Sequence, residues 1–367
     1  MESNARFGKF LAMAAVQSRR FAPPVARFLQ LAICLATALA PWAPRSLSAA
    51  DPQLALAEWP RSGKVQFQPS PQEDRLFEKF RLAPQEFTFE QTPLPEVSSR
   101  IGVSTVTFPS PMVTDSPANN TVHCELFYPK RAGKVPAVVV LHILGGDFDL
   151  ARLFANNLAQ HGVAALFLKM PYYGPRRDPA SERRMISQNP SETVEGMTQA
   201  VLDIRYAVAW LAAQPQVDSE KLGIFGISLG GITGALAATA EPRLQNVCLL
   251  LAGGDLAKIA WESKELAKVR TAFLARGGSK EEFIRLLQTV DPVRYGENVR
   301  GRRILLLNAT DDEVVPKACT LSLWESFGKP ELEWYTGGHY SVARHMFSAL
   351  HRTSQFFGES PTPIRPK

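Results

Sequence analysis

Ser228 lies between Gly226 and Gly230 in the stretch KLGIFGISLGGITGALAATA, where an apolar run from Lys221 meets an Ala-rich segment. The apolar run reads as a buried strand and the Ala-rich segment as a helix. A sharp turn between them lifts the serine side chain into a cleft and crowds the backbone, and glycines two residues to either side relieve the crowding. The chemistry this suggests is nucleophilic attack on an acyl carbon. A serine hydroxyl is a weak nucleophile until a base takes its proton. His339, in YTGGHYS, follows the last expected strand in a loop that two glycines let bend, and it is the candidate base. His345 and His351 fall on the final helical stretch, His123 on an early strand and His161 at a helix end. The spacing of residues 339, 345 and 351 is six, not the four that places two ligands on one helix face, so no metal set is read from them.

The imidazole needs a carboxylate to fix its tautomer and stabilise its charged form. Asp312, in LLLNATDDEVVP, is the first choice because it stands immediately before Glu-Val-Val-Pro. Asp311 beside it, and Asp255 at the end of an earlier strand, remain alternatives. The chain order Ser, Asp, His is one of the known triad orders. An oxyanion needs N–H donors. Leu229 N–H, at the start of the helix after Ser228, is one. Leu144 N–H, in the loop His142-Ile143-Leu144-Gly145-Gly146, is the other, with Ile143 close behind. His142 itself reads as a residue that holds this loop rather than as a proton carrier.

Positioning these groups requires an α/β framework. Alternating patterns at VSTVTF and TVHCELFYP, split by TDSPANN, read as a hairpin. Apolar strands follow, beginning at Pro136, Val163, Lys221, Asn246, Arg302 and Glu331. Helical patterns between them begin at Leu150, Ser191, Gly231, Lys317 and Ser341. Such alternation predicts a mostly parallel sheet with helices on both faces. Ligands of such a sheet bind beyond the carboxyl ends of the strands, where the residues above fall. Residues 255 to about 300 hold more helix than a connector needs and are expected to form a small helical cap. Residues 51 to about 100, rich in Pro, Gln and charge, read as an extended lead-in with one short helix from Gln72 to Phe80.

The 367 residues carry a net charge of +6. Residues 1–50 hold six basic side chains against Glu2 alone, and the remainder is balanced at 35 basic and 34 acidic. A nucleic-acid binder keeps its positive charge in the folded body, so that class is disfavoured. Residues 1–50 instead read as an export signal: a basic stretch to Arg27, an apolar run from Phe28 to Ala40, and the small residues Ser48 and Ala50 before a cleavage point. The apolar run is shorter than the ~20 residues that span a bilayer, so no stable membrane anchor is expected. The expected location is the periplasm or the exterior. Cys124, Cys248 and Cys319 would remain, all in apolar segments, and they do not make a disulfide framework.

The motifs VPAVVVLHILGG, GIFGISLGG, LLLNATDDEVVP and GGHYS, in this order, resemble the signature positions of the α/β-hydrolase superfamily, most closely its dienelactone-hydrolase-like and acyl-esterase branch. The resemblance covers about residues 100 to 358 and places the hydrolase domain at 101–360. It implies a serine nucleophile at Ser228, an acid at Asp312 and a base at His339, acting on a small-molecule ester with no metal or organic cofactor. Dienelactone hydrolases proper use a cysteine nucleophile, so Ser228 favours ordinary ester hydrolysis. Ile143 stands where the family often has glycine.

The loop MPYYGPRRDPASERRM follows an expected strand end. Its Tyr172 and Tyr173 are candidates for stacking on a sugar or aromatic ring. Its arginines read mainly as partners of nearby carboxylates such as Asp178 and Glu182. Trp261 reads as a cap-packing residue, and the sequons at Asn119 and Asn308 carry little weight. Competing readings are a peptidase on the same fold, for which residues 51–100 are too short to supply a propeller, and a non-catalytic binding protein, disfavoured by a complete set of triad residue types.

Overall fold

A computed structural model describes residues 58–95, 98–262 and 267–358. These lie within the compact unit that spans residues 53–367. The expected export signal, residues 1–50, lies outside the described residues. Among the described residues ten strands form one sheet in the order β1-β2-β3-β4-β6-β5-β7-β8-β9-β10. They are β1 (Ser62–Phe67), β2 (Gln85–Pro93), β3 (Ile101–Pro109), β4 (Thr121–Pro129), β5 (Val135–Leu141), β6 (Ala164–Leu168), β7 (Val217–Ile227), β8 (Asn246–Leu250), β9 (Arg303–Ala309) and β10 (Glu331–Tyr335). The pairs from β1 through β4 to β6 are antiparallel. Those from β6 through β5 to β10 are parallel.

Strand β5 shows why the apolar runs become central strands. Ala137, Val139 and Leu141 enter one core layer while Val138 and Val140 enter the other, all fully buried. A strand covered on both faces needs no polar alternation. The layers are closed by helices α1 (Phe148–Gln160), α2 (Pro190–Ala212), α3 (Leu229–Ala240), α4 (Leu256–Glu262), α5 (Ala267–Ala275), α6 (Lys280–Leu287), α7 (Lys317–Ser326) and α8 (Met346–Gly358). The chain runs from β5 to β6 on one side and returns to β7 on the other. In such sheets that reversal marks the usual ligand position, beyond the carboxyl ends of β5 and β7.

The lead-in differs from the sequence reading. Residues 62–67 and 85–93 are an antiparallel pair that extends the sheet edge, and the single helix expected over 72–80 is two short 3-10 turns, Glu73–Arg75 and Glu78–Phe80. Alternation was present there, since Val65, Phe67, Phe87 and Phe89 are all buried with Gln66 and Thr88 exposed between them, but each run holds only two apolar side chains. The turns are held by tertiary contacts that no local pattern reveals. The Glu73 carboxylate receives both Arg205 Nη atoms at 2.6 and 2.7 Å and the Leu82 N–H at 2.8 Å.

In the segment read as a cap, α4, α5 and α6 stand between β8 and β9. Trp261 packs edge-on against buried Phe283 at 5.6 Å, with the Arg270 and Lys280 cations over its ring at 5.7 and 5.2 Å. Asp291 ties both ends of this segment together by accepting the N–H groups of Asp255, Leu256 and Val293. No helix among the described residues is long and apolar enough to cross a membrane.

Candidate active site

Ser228 occupies the turn between β7 and α3 with φ +54° and ψ −116°, a conformation that L-residues rarely adopt. The flanking glycines are needed for steric reasons. A Cβ on Gly226 would lie 2.1 Å from Gly230 O, and one on Gly230 would lie 2.6 Å from His142 O. The second contact also brings the first turn of α3 against the end of β5, so the loop after β5 sits beside the serine. Ser228 N–H donates to Leu250 O at 2.8 Å, which fixes the turn to β8. Leu229 is the first residue of α3, and the N–H groups of a first helical turn have no partner within their own helix.

Ser228 Oγ lies 2.9 Å from His339 Nε2. On the far side of the ring, Nδ1 lies 2.8 Å from Asp312 Oδ2 and 3.0 Å from Oδ1. An ionised carboxylate only accepts, so Nδ1 carries the proton and the Nε2 lone pair faces the serine hydroxyl. Asp312 is held in turn by the Val314 and Val315 N–H groups, which donate to its Oδ1 at 2.9 and 2.7 Å. All three side chains are nearly buried, at 9, 8 and 7% exposure for Ser228, Asp312 and His339. The alternative acids are elsewhere. Asp311 is exposed and accepts Thr310 Oγ1, while Asp255 is exposed with φ +58° and gives its N–H to Asp291.

The loop after β5 is braced by His142, which is fully buried. Its Nδ1–H donates to Ile143 O at 2.8 Å, and its Nε2 accepts the Met170 N–H at 3.1 Å, joining the loops after β5 and β6. Burial drives its pKa from the ordinary 6.5 to about 4, so it stays neutral. This matches the holding role read for it. Gly145 and Gly146 take φ +92° and +74°, and Leu144 beside them is 38% exposed.

The structure changes the reading of Tyr172 and Tyr173. Tyr173 packs edge-on against the His142 ring at 4.6 Å. Burial pushes that phenol up to about 12. Tyr172 is 5% exposed at φ +65°, its N–H donates to Asn119 Oδ1, and the Arg183 guanidinium covers its ring. Both rings are therefore committed to internal packing rather than offered as a flat face for a sugar. The loop arginines also find other partners than Asp178 and Glu182. Fully buried Arg176 lies 2.8 Å from Asp203 Oδ2, and Arg183 pairs with Glu192 and Glu195. Asn119 and Asn308 are fully buried and hydrogen-bonded, which gives neither sequon a surface.

Sequence reasoning missed two neighbours of the histidine. Glu313 Oε2 accepts the His339 N–H at 2.9 Å, and Tyr340, 45% exposed, sets its ring edge-on to the imidazole at 5.4 Å. Their adjacency to Asp312 and His339 in the sequence was the available signal. Among the described residues no group of three or more His, Cys, Asp or Glu is placed to hold a metal ion.

Two family models match. "Alpha/beta hydrolase domain containing 18" covers residues 103–263, and "Prolyl oligopeptidase family" covers residues 197–354. The uncharacterized protein Rv2627c of Mycobacterium tuberculosis is 27% identical over 198 residues, 52% of this chain and 46% of that protein. A probable 2-oxo-3-(5-oxofuran-2-ylidene)propanoate lactonase of Bradyrhizobium sp is 29% identical over 117 residues, 32% of this chain and 46% of that one. The chain thus spans about half the length of the curated relatives it matches. Acetyl Xylan Esterase 1 from Thermoanaerobacterium sp. JW/SL YS485 shares the fold at TM-score 0.58 and 18% identity, over 80% of this chain and 95% of that one. With this sheet order and these matches, the chain belongs to the α/β-hydrolase superfamily.

Proposed function

We propose that this protein is an exported serine hydrolase of the dienelactone-hydrolase-like and acyl-esterase branch, cleaving small carboxylic esters through an acyl-enzyme. The observation that carries the reading is the aligned set Ser228 Oγ–His339 Nε2 at 2.9 Å and His339 Nδ1–Asp312 Oδ2 at 2.8 Å, on a serine held at positive φ. Ser228 attacks the ester carbonyl while His339 takes its proton. The Leu229 and Leu144 N–H groups receive the oxyanion. His339 then protonates the leaving alcohol, and water activated by the same imidazole releases the acid. Export is proposed from the pattern of residues 1–50 alone.

The exposed side chains next to these groups, Leu144 and Tyr340, favour an uncharged acyl or alcohol portion. Acylated carbohydrates are the first class to try, by analogy with the acetyl xylan esterase of the same fold. Lactones follow, since the Bradyrhizobium relative is described as a lactonase and a lactone is an internal ester. Amide cleavage is the second reading, favoured by the prolyl oligopeptidase family match across the segment that holds Ser228, Asp312 and His339. The test is labelling of the folded protein with a fluorophosphonate probe beside Ser228→Ala, followed by ester, lactone and amide panels. Labelling lost in the variant, with ester turnover exceeding amide turnover, supports the proposal. A folded wild type that takes no label refutes it.

A further inference from the structure

We infer that Glu313 is a positioning residue for the base, acting through the backbone of His339; this rests on the hydrolase reading above. Two consecutive residues grip the same histidine. Asp312 holds its ring at Nδ1, and the Glu313 carboxylate accepts its main-chain N–H at 2.9 Å. The grip has a steric signature, because a Cβ on Gly338 would lie 2.3 Å from Glu313 Oε2 and 3.1 Å from Asp311 O. Gly338 is therefore the residue that lets the carboxylate reach past it to the next amide.

The rest of the loop is anchored around this point rather than at it. Asp311 N–H donates to Gly337 O at 2.9 Å, Gly337 N–H to Thr310 Oγ1 at 3.2 Å, and Gly338 N–H to Ser341 Oγ at 2.9 Å. At His339 itself the backbone contact is Glu313. The position of the His339 Cα sets where Nε2 points, and Nε2 must serve first the serine and then the leaving oxygen. Glu313 is exposed and belongs to neither core cluster, so the fold does not depend on it. What it contributes is the angle of the base.

The experiment compares wild type, Glu313→Ala and Glu313→Gln, using the fluorophosphonate labelling rate, the kcat and KM for p-nitrophenyl acetate, and the thermal midpoint. A misplacement of about 1 Å costs up to about 100-fold in rate, and a loop still pinned by Asp312 and its own turns should lose less, about tenfold. Glu313→Ala is expected to lower kcat and the labelling rate by that factor, with KM and the midpoint unchanged. Glu313→Gln keeps an acceptor oxygen at the same reach and is expected to restore most of the rate. Wild-type rates in Glu313→Ala overturn the inference, as does a Glu313→Gln as slow as the alanine variant. A wild type that is folded but unlabelled marks the failure of the hydrolase reading itself, whatever the variants do.

Discussion

Acid should loosen the loop after β5 by charging His142. This imidazole is fully buried, gives its Nδ1–H to Ile143 O and accepts the Met170 N–H at Nε2. A second proton has to enter at Nε2, where it would face an N–H instead of an acceptor. Burial lowers the folded pKa to about 4 from the ordinary 6.5. Between those values the unfolded chain binds the proton and the folded one does not, so stability rises with pH across the window. The contribution is fully present above pH 6.5 and is lost as pH falls to about 4. The gap corresponds to roughly 3 kcal/mol, of which about 2 has gone by pH 5. Carboxylates titrate nearby in pH, so the measurement must be differential. Urea unfolding of wild type and His142→Gln would be followed from pH 7.5 to pH 4.5. The glutamine keeps an acceptor near the Met170 N–H and does not titrate. Its stability should fall less than that of wild type, by about 2 kcal/mol at pH 5. Parallel curves for the two proteins would refute the argument that His142 is held neutral by burial.

Two further outcomes follow from steric and charge burial. Gly226→Ala places a Cβ 2.1 Å from Gly230 O and 2.7 Å from Gly231 N, both backbone atoms, so the serine turn must open. It is expected to lower stability by about 1–3 kcal/mol and slow fluorophosphonate labelling by about 100-fold, and a wild-type labelling rate would be inconsistent with this turn. Asp203→Ala strands the fully buried Arg176 guanidinium, for a loss of about 3–5 kcal/mol in urea unfolding, whereas the double change Arg176→Met with Asp203→Leu should recover most of it. Equal losses in the single and double variants would show that the pair's charge is not what matters.

Much of this protein was legible in its sequence where the signal is local. Apolar runs with no polar alternation marked β5 to β9, because strands covered on both faces have no solvent side. The spacing of Gly226, Ser228 and Gly230 marked the turn, because a serine at φ +54° leaves no room for neighbouring Cβ atoms. Asp312 and His339 were chosen by their places after strand ends, and the structure puts these two against each other and Ser228. The rest required distance information. Strands β1 and β2 are stabilised by an edge that lies elsewhere in the chain, and Glu73 by an arginine 132 positions away. Tyr172 and Tyr173 look like a binding face in sequence, since aromatic rings serve packing and stacking equally well. Only the closeness of His142 and Arg183 commits them to packing. Exclusion of Asp255 and Asp311, and the hold of Glu313 on the His339 backbone, were likewise decided in three dimensions. Residue type sets what a side chain can donate or accept, and only the fold sets what lies within 3 Å of it.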